Sequence, residues 1–148
     1  MGKYGERAEE YFREGYNCAQ AVFLAFAPEY GMSEDAAKRI ASSFGGGIGG
    51  MRSVCGTVSG MCMAAGLIRG YADPQDYEVK KAHYAFVSDL VQEFQEENGS
   101  IICRELLGLS RKGTPDVPSQ RTNEYYKKRP CAELAHMAAD ILEKHLDD

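Results

Sequence analysis

The sequence predicts an all-α fold, a compact bundle of five or six helices with a glycine-rich loop before a central helix. Three observations carry the prediction. Apolar residues recur three and four apart along the chain, and no stretch alternates with period two. Start and stop signals recur at Asn17, Ser33, Ser53, Asp73-Pro74, Asn98-Gly99 and Pro130. With 148 residues and 44% apolar content, the chain fits a single domain, residues 1–148, around one core.

The elements follow in order. Lys3 to Glu14 places Tyr4, Ala8, Tyr11 and Phe12 on one helical face, and Gly15 interrupts it. Asn17 caps a second helix that runs to about Ala27, stops at Pro28, and buries Ala19, Val22, Phe23 and Phe26. Ser33 caps a third, with Glu34 and Asp35 in its first turn, where the helix dipole favours acids. Its apolar stripe is Ala37, Ile40, Ala41 and Phe44. Ser53 is placed to cap a small-residue helix ending near Gly70, and Asp73-Pro74 to open a long helix reaching Glu97. Ser100 can cap a short helix through Leu107. Leu109 to Arg129, with Gly113, Pro115 and Pro118, is a functional loop or holds a short helix near Ser119 to Tyr126. Pro130 opens the last helix, to about Leu146, with Leu134, Ala138 and Ile141 inward.

The stretch from Phe44 to Gly70 holds the most chemistry. Gly45, Gly46, Gly47, Gly49 and Gly50 allow left-handed backbone and close approach to another surface or a bound group. Gly56 and Gly60 leave a bare strip on the following helix, open to another helix or a ligand. Gly45, Gly46, Gly47, Gly56 and Gly60 are therefore the candidate cofactor contacts. The bland alternative is a tight turn before a packed core helix.

Cys18, Cys55, Cys103 and Cys131 each fall in the first turn of a predicted helix, whereas Cys62 lies in a helix interior. Unpaired N–H groups at a helix start bias a thiol toward thiolate, the form that attacks disulfides and binds metals. If the four converge, they need a metal, an iron–sulfur cluster or oxidation to disulfides, because four thiolates repel. Spacing does not settle convergence. No Cys-x-x-Cys pair is present, so local zinc-finger and ferredoxin spacings are excluded. Cys55 and Cys62 sit two turns apart on one face, about 10 Å, too far for a disulfide.

Other functions have less support. A net charge of −5 argues against a general nucleic-acid binder. Lys127, Lys128 and Arg129 form one local basic run, a solvated face or a docking patch for an acidic partner. No apolar run is long enough to span a membrane, and the charged N-terminus lacks a secretory h-region, so a cytoplasmic protein is expected. Cysteines in such a chain read as thiol or metal chemistry rather than a disulfide framework. No Ser-His-Asp order, P-loop or dinucleotide fingerprint occurs. His83 reads as a packed or edge histidine, and His145 as complementing a helix C-terminus. His136 lies at an awkward helical offset from Cys131 for sharing a metal. Met61, Met63, Tyr77 and Tyr84 read as core, and Glu93 with Glu97 as a solvated face. Arg52 is placed to raise the positive potential near Cys55.

The segments Gly15-Tyr16-Asn17-Cys18-Ala19-Gln20, Phe44-Gly45-Gly46-Gly47, Cys55-Gly56-x-x-x-Gly60, Cys103-Arg104-x-Leu106-Leu107-Gly108 and Cys131 together resemble one family. It is the redox-active protein family with the C_GCAxxG_C_C cysteine signature, and the resemblance covers essentially the whole chain. It implies that Cys18, Cys55, Cys103 and Cys131 are the signature set and that Cys62 is an extra. Thr57 departs from it, standing where a small alanine is usual.

Three functions follow as expectations. The first is a redox-active module holding zinc or an iron–sulfur cluster as metal ligands Cys18, Cys55, Cys103 and Cys131. The second is a thiol–disulfide oxidoreductase with Cys55 as the catalytic attacking thiolate, resolved by Cys18, Cys103 or Cys131. The third is a helical interaction module with structural cysteines. The expected partner is an electron-transfer or thiol partner protein. A homo-oligomer sharing the site stays open, as does the choice between enzyme, carrier and sensor.

Overall fold

Helix α2, Cys18–Phe26, is apolar on nearly every side, and its neighbours enclose it. In the computed structural model, which describes residues 2–108 and 130–147, it packs against four helices. These are α1 (Lys3–Arg13), α3 (Glu34–Ser42), α4 (Gly56–Arg69) and the C-terminal α7 (Cys131–Leu146). A 3-10 turn, Ala27–Tyr30, follows α2; the long α5, Tyr77–Asn98, and the one-turn α6, Cys103–Leu106, complete the described elements. The described residues thus hold seven α-helices, more than the expected five or six. They contain no named strand, only an isolated antiparallel bridge between Val54 and Ile102. The expected loop, short helix and basic run between 109 and 129 lie outside the described residues.

The enclosed helix is α2 rather than α4, a correction to the expected centre. Seven of the nine α2 residues are buried, against seven of fourteen in α4. The bundle core joins Phe23, Leu24 and Phe26 of α2 to Met61, Leu90, Phe94 and Leu142 from three other helices. Burying each such side chain contributes about 1.5–3 kcal/mol. Helix α3 buries only Ala37 and Ala41, so Ile40 is exposed, contrary to its expected place in the stripe. Tyr77 and Tyr84 are likewise exposed rather than core, because α5 buries only Leu90 and Phe94, in its C-terminal half. Glu93 is not a solvated acid: it pairs with Lys144 Nζ at 2.5 Å and His145 Nε2 at 2.8 Å, tying α5 to α7. His136 Nδ1 lies 2.9 Å from Glu9 Oε1, tying α7 to α1.

Asn17 starts α2 with a reciprocal capping box. Its Oδ1 accepts from Gln20 N at 2.9 Å, and its own N–H donates to Gln20 Oε1 at 3.0 Å. Its side-chain amide also donates to the Ser42 carbonyl at 3.1 Å. Asn17→Ala is expected to cost about 1–2 kcal/mol. Urea denaturation would show this as a lower midpoint at unchanged slope; an unchanged midpoint would refute it.

Candidate functional site

The four signature cysteines all stand at helix starts. Cys18, Cys103 and Cys131 are the first residues of α2, α6 and α7, and Cys55 is the N-cap of α4. Cys55 therefore precedes the first turn in which the sequence placed it. The expected cap, Ser53, has its backbone committed elsewhere: its carbonyl accepts from Cys103 N at 2.6 Å, and its N–H donates to Gly47 O at 2.9 Å. Cys55 N donates to Ile101 O at 2.7 Å on the other side of the Val54–Ile102 bridge. This two-sided pairing sets the starts of α4 and α6 side by side. At the other edge, Cys131 packs with Phe12, Ala21 and Ala132, with Cys18 against them.

The two edges meet at Cys18. Its thiol hydrogen-bonds to Cys131 and lies close enough to Cys55 and Cys103 to feel their charge. Four cysteines far apart in sequence therefore share one end of the bundle, where Cys18 Cβ lies 3.0 Å from the place of a Cβ on Gly56, next to Cys55, and the Cys55 and Cys103 backbones are paired through Ile101 and Ser53. Cys62 is outside it; burial alone raises its thiol to about 11. The hydrogen bond to Cys131, then burial, then the neighbouring thiols push Cys18 well above the ordinary thiol value. Burial raises Cys55 to about 11, against the opposing hydrogen bonds from Thr57. The bias toward thiolate expected at Cys55 is thus overturned: desolvation outweighs the helix start, and the group is protonated at neutral pH. Among the described residues, no three His, Cys, Asp or Glu side chains are arranged as they stand to hold a metal ion.

Two contacts around the sulfurs were not specified by the sequence. Thr57, the departure from the signature, is fully buried, and its hydroxyl lies 3.0 Å from Cys55 Sγ. Arg52 Nη1 lies 3.7 Å from Cys103 Sγ, so its charge is delivered to Cys103 rather than to Cys55. Residues 46–50 run through an unbroken left-handed turn, with φ of 63°, 73°, 69°, 53° and 79°, and Ile48, the non-glycine residue in the middle, shares that conformation. The run of glycines was the signal for such a turn.

The five glycines proposed as cofactor contacts face protein. A Cβ on Gly60 would lie 2.7 Å from Ala19 O, and one on Gly56 3.0 Å from Cys18 Cβ, so α2 fills the bare strip. Gly45 sits against the Asn17 side chain, Gly46 against Gly50, and Gly47 against Arg52 and Ser53. Their small size serves close packing, which in turn places Cys18 beside the start of α4.

The raised thiols make an alkaline prediction for the metal-free protein. Below the ordinary thiol value of 9.0, both folded and unfolded chains are protonated and the contribution is intact. Between about 9 and 11 the unfolded chain loses protons first, so stability falls as pH rises. Urea midpoints should therefore drop from about pH 8 to about pH 10.5; a constant or rising midpoint would contradict the buried-thiol arrangement.

Comparison with known proteins places residues 16–145 in the family described as "Putative redox-active protein (C_GCAxxG_C_C)". An Archaeoglobus fulgidus protein carrying the name "Uncharacterized protein" is 28% identical over 155 aligned positions, spanning 99% of this chain and 95% of the relative. No solved structure gives a significant match. Among the described residues, no helix is long and apolar enough to cross a membrane.

Proposed function

Because the chain belongs to the redox-active C_GCAxxG_C_C family, we propose that it works through a four-thiol centre. Cys18, Cys55, Cys103 and Cys131 would hold a soft metal ion or an iron–sulfur cluster. One observation carries the proposal: the start of α2 packs against the starts of α4 and α7, while backbone pairing sets the start of α6 beside that of α4, so the four cysteines stand at one end of the bundle. An all-sulfur donor set suits iron–sulfur clusters and zinc. Burial and mutual repulsion make it costly to ionise these thiols together, and a bound cation removes that cost. The raised Cys55 thiol argues against its acting as a free nucleophile. Loading requires the side chains to turn from their present hydrogen bonds, since Cys55 now faces Thr57 and Cys18 faces Cys131. An iron centre would supply one-electron transfer and zinc a structural clamp. The chain itself supplies the sulfurs, the backbone N–H groups at helix starts and a neighbouring guanidinium.

The Cys18–Cys131 hydrogen bond favours a second reading, a dithiol–disulfide pair. In that case a partner disulfide takes two electrons and two protons from the two thiols. It becomes a dithiol as the Cys18–Cys131 bond forms. Ultraviolet–visible spectroscopy with metal analysis on anaerobically purified protein separates the two. Stoichiometric iron with visible absorbance, or stoichiometric zinc without colour, supports the four-thiol centre. Metal-free protein that loses two thiols on mild oxidation, mapped to Cys18 and Cys131, replaces it with the disulfide pair.

A further inference from the structure

We propose that Arg52 is the charge-compensating residue of the thiol centre, fixing a guanidinium against the Cys103 sulfur. The inference rests on the four-thiol reading and assigns a role that the cysteine signature does not contain.

Its geometry is built by the backbone. Arg52 has φ of 61°, a conformation that costs a side-chain-bearing residue free energy, so surrounding contacts must hold it there. Two backbone bonds do so. Arg52 N donates to Gly46 O at 2.9 Å, and its carbonyl accepts from Arg104 N at 3.2 Å, adjacent to Cys103. The left-handed turn at 46–50 lies directly beneath: a Cβ on Gly47 would meet the Arg52 backbone at 2.7 Å, and one on Gly46 would lie 3.6 Å from Nη1. The glycine run thus forms a floor that seats this arginine. Its guanidinium reaches Cys103 Sγ at 3.7 Å, and among the described residues no carboxylate pairs with it. Other arginines and lysines show the contrast, for Arg7, Arg13, Arg39 and Lys144 each meet an acid. A cation seated on a left-handed backbone and directed at a thiol, with no acid of its own among the described residues, matches a site whose working state is anionic. Four thiolates around a divalent ion leave such a net negative charge.

Cobalt(II) is the probe, because thiolate ligation gives it a charge-transfer band that reports sulfur bonding directly. Titrations compare the native protein with Arg52→Gln, Arg52→Lys and Arg52→Gly. The Gly variant keeps the test valid if Gln does not fold, since glycine tolerates the left-handed backbone at no cost. The native protein should develop the band. Affinity should fall about tenfold in the Gln and Gly variants, and Lys should restore most of it. Equal affinity in all four proteins, or a Lys variant as weak as Gln, overturns the role of Arg52 while leaving the four-thiol reading intact. No band in the native protein overturns both.

Discussion

Cys18→Ser is expected to abolish stable metal retention, whereas Cys62→Ser retains it. Cys18 stands between the two edges of the locus, packed against the Cys131 cluster on one side and against Gly56, next to Cys55, on the other. A serine hydroxyl keeps the capping box and the packing of α2 but is a poor ligand for zinc or iron. Cys62 has no thiol neighbour among the groups that shift it, so its loss removes no ligand. Binding to the folded chain stabilises it, by about 4 kcal/mol when free metal stands a thousandfold above its dissociation constant. Thermal melts with and without a chelator should therefore differ strongly for the native protein and for Cys62→Ser, but coincide for Cys18→Ser. A Cys18→Ser protein that still binds metal stoichiometrically would remove Cys18 from the ligand set.

Gly60→Val is expected to destabilise the fold at the upper end of about 1–3 kcal/mol, the range for forcing atoms into a packed core. The obstacles to a Cβ there are backbone: Ala19 O at 2.7 Å and Ala19 Cα at 3.2 Å. They cannot swing aside as a flexible side chain would, so α2 must move away from α4. Because Cys18 precedes Ala19, that movement also carries Cys18 away from Cys55, and metal affinity should fall along with stability. Gly66, on the same helix, has open space where its Cβ would lie. Gly66→Ala should instead stabilise by about 0.5–1 kcal/mol through helix propensity. Urea denaturation of both variants checks the contrast; a Gly60→Val protein as stable as the native chain would mean that the helices do not cross this closely.

Local chemistry made much of the fold legible. Asn17 and Ser33 cap the helices they were expected to cap, and Gly99 stops α5 with φ of 84°. The start of α5 lies later than Asp73-Pro74 indicated. Asp73 Oδ1 instead accepts from Gln75 N at 2.9 Å in a turn, and Asp76 takes the cap. That competition between two nearby aspartates is tertiary in outcome and invisible to a window of sequence. The positions of the cysteines at helix starts could be read, but not their meeting. Meeting depends on the Val54–Ile102 bridge, which joins segments far apart in the chain, and on the packing of α1 with α7. The thiol protonation was misread for a related reason: the helix-start effect is local, whereas the burial that overrides it comes from the whole bundle. Tyr77 and Tyr84 illustrate the converse, aromatic residues at helical spacing that no neighbour among the described residues buries.

The most direct test of the four-thiol centre is X-ray absorption at the metal edge of the anaerobically purified or zinc-loaded protein. Four sulfur neighbours per metal, at about 2.3 Å for zinc, are predicted, with one sulfur lost in Cys18→Ser if any metal remains. A first shell of nitrogen or oxygen, or fewer than four sulfurs in the native protein, would contradict the assignment of Cys18, Cys55, Cys103 and Cys131 as a single ligand set.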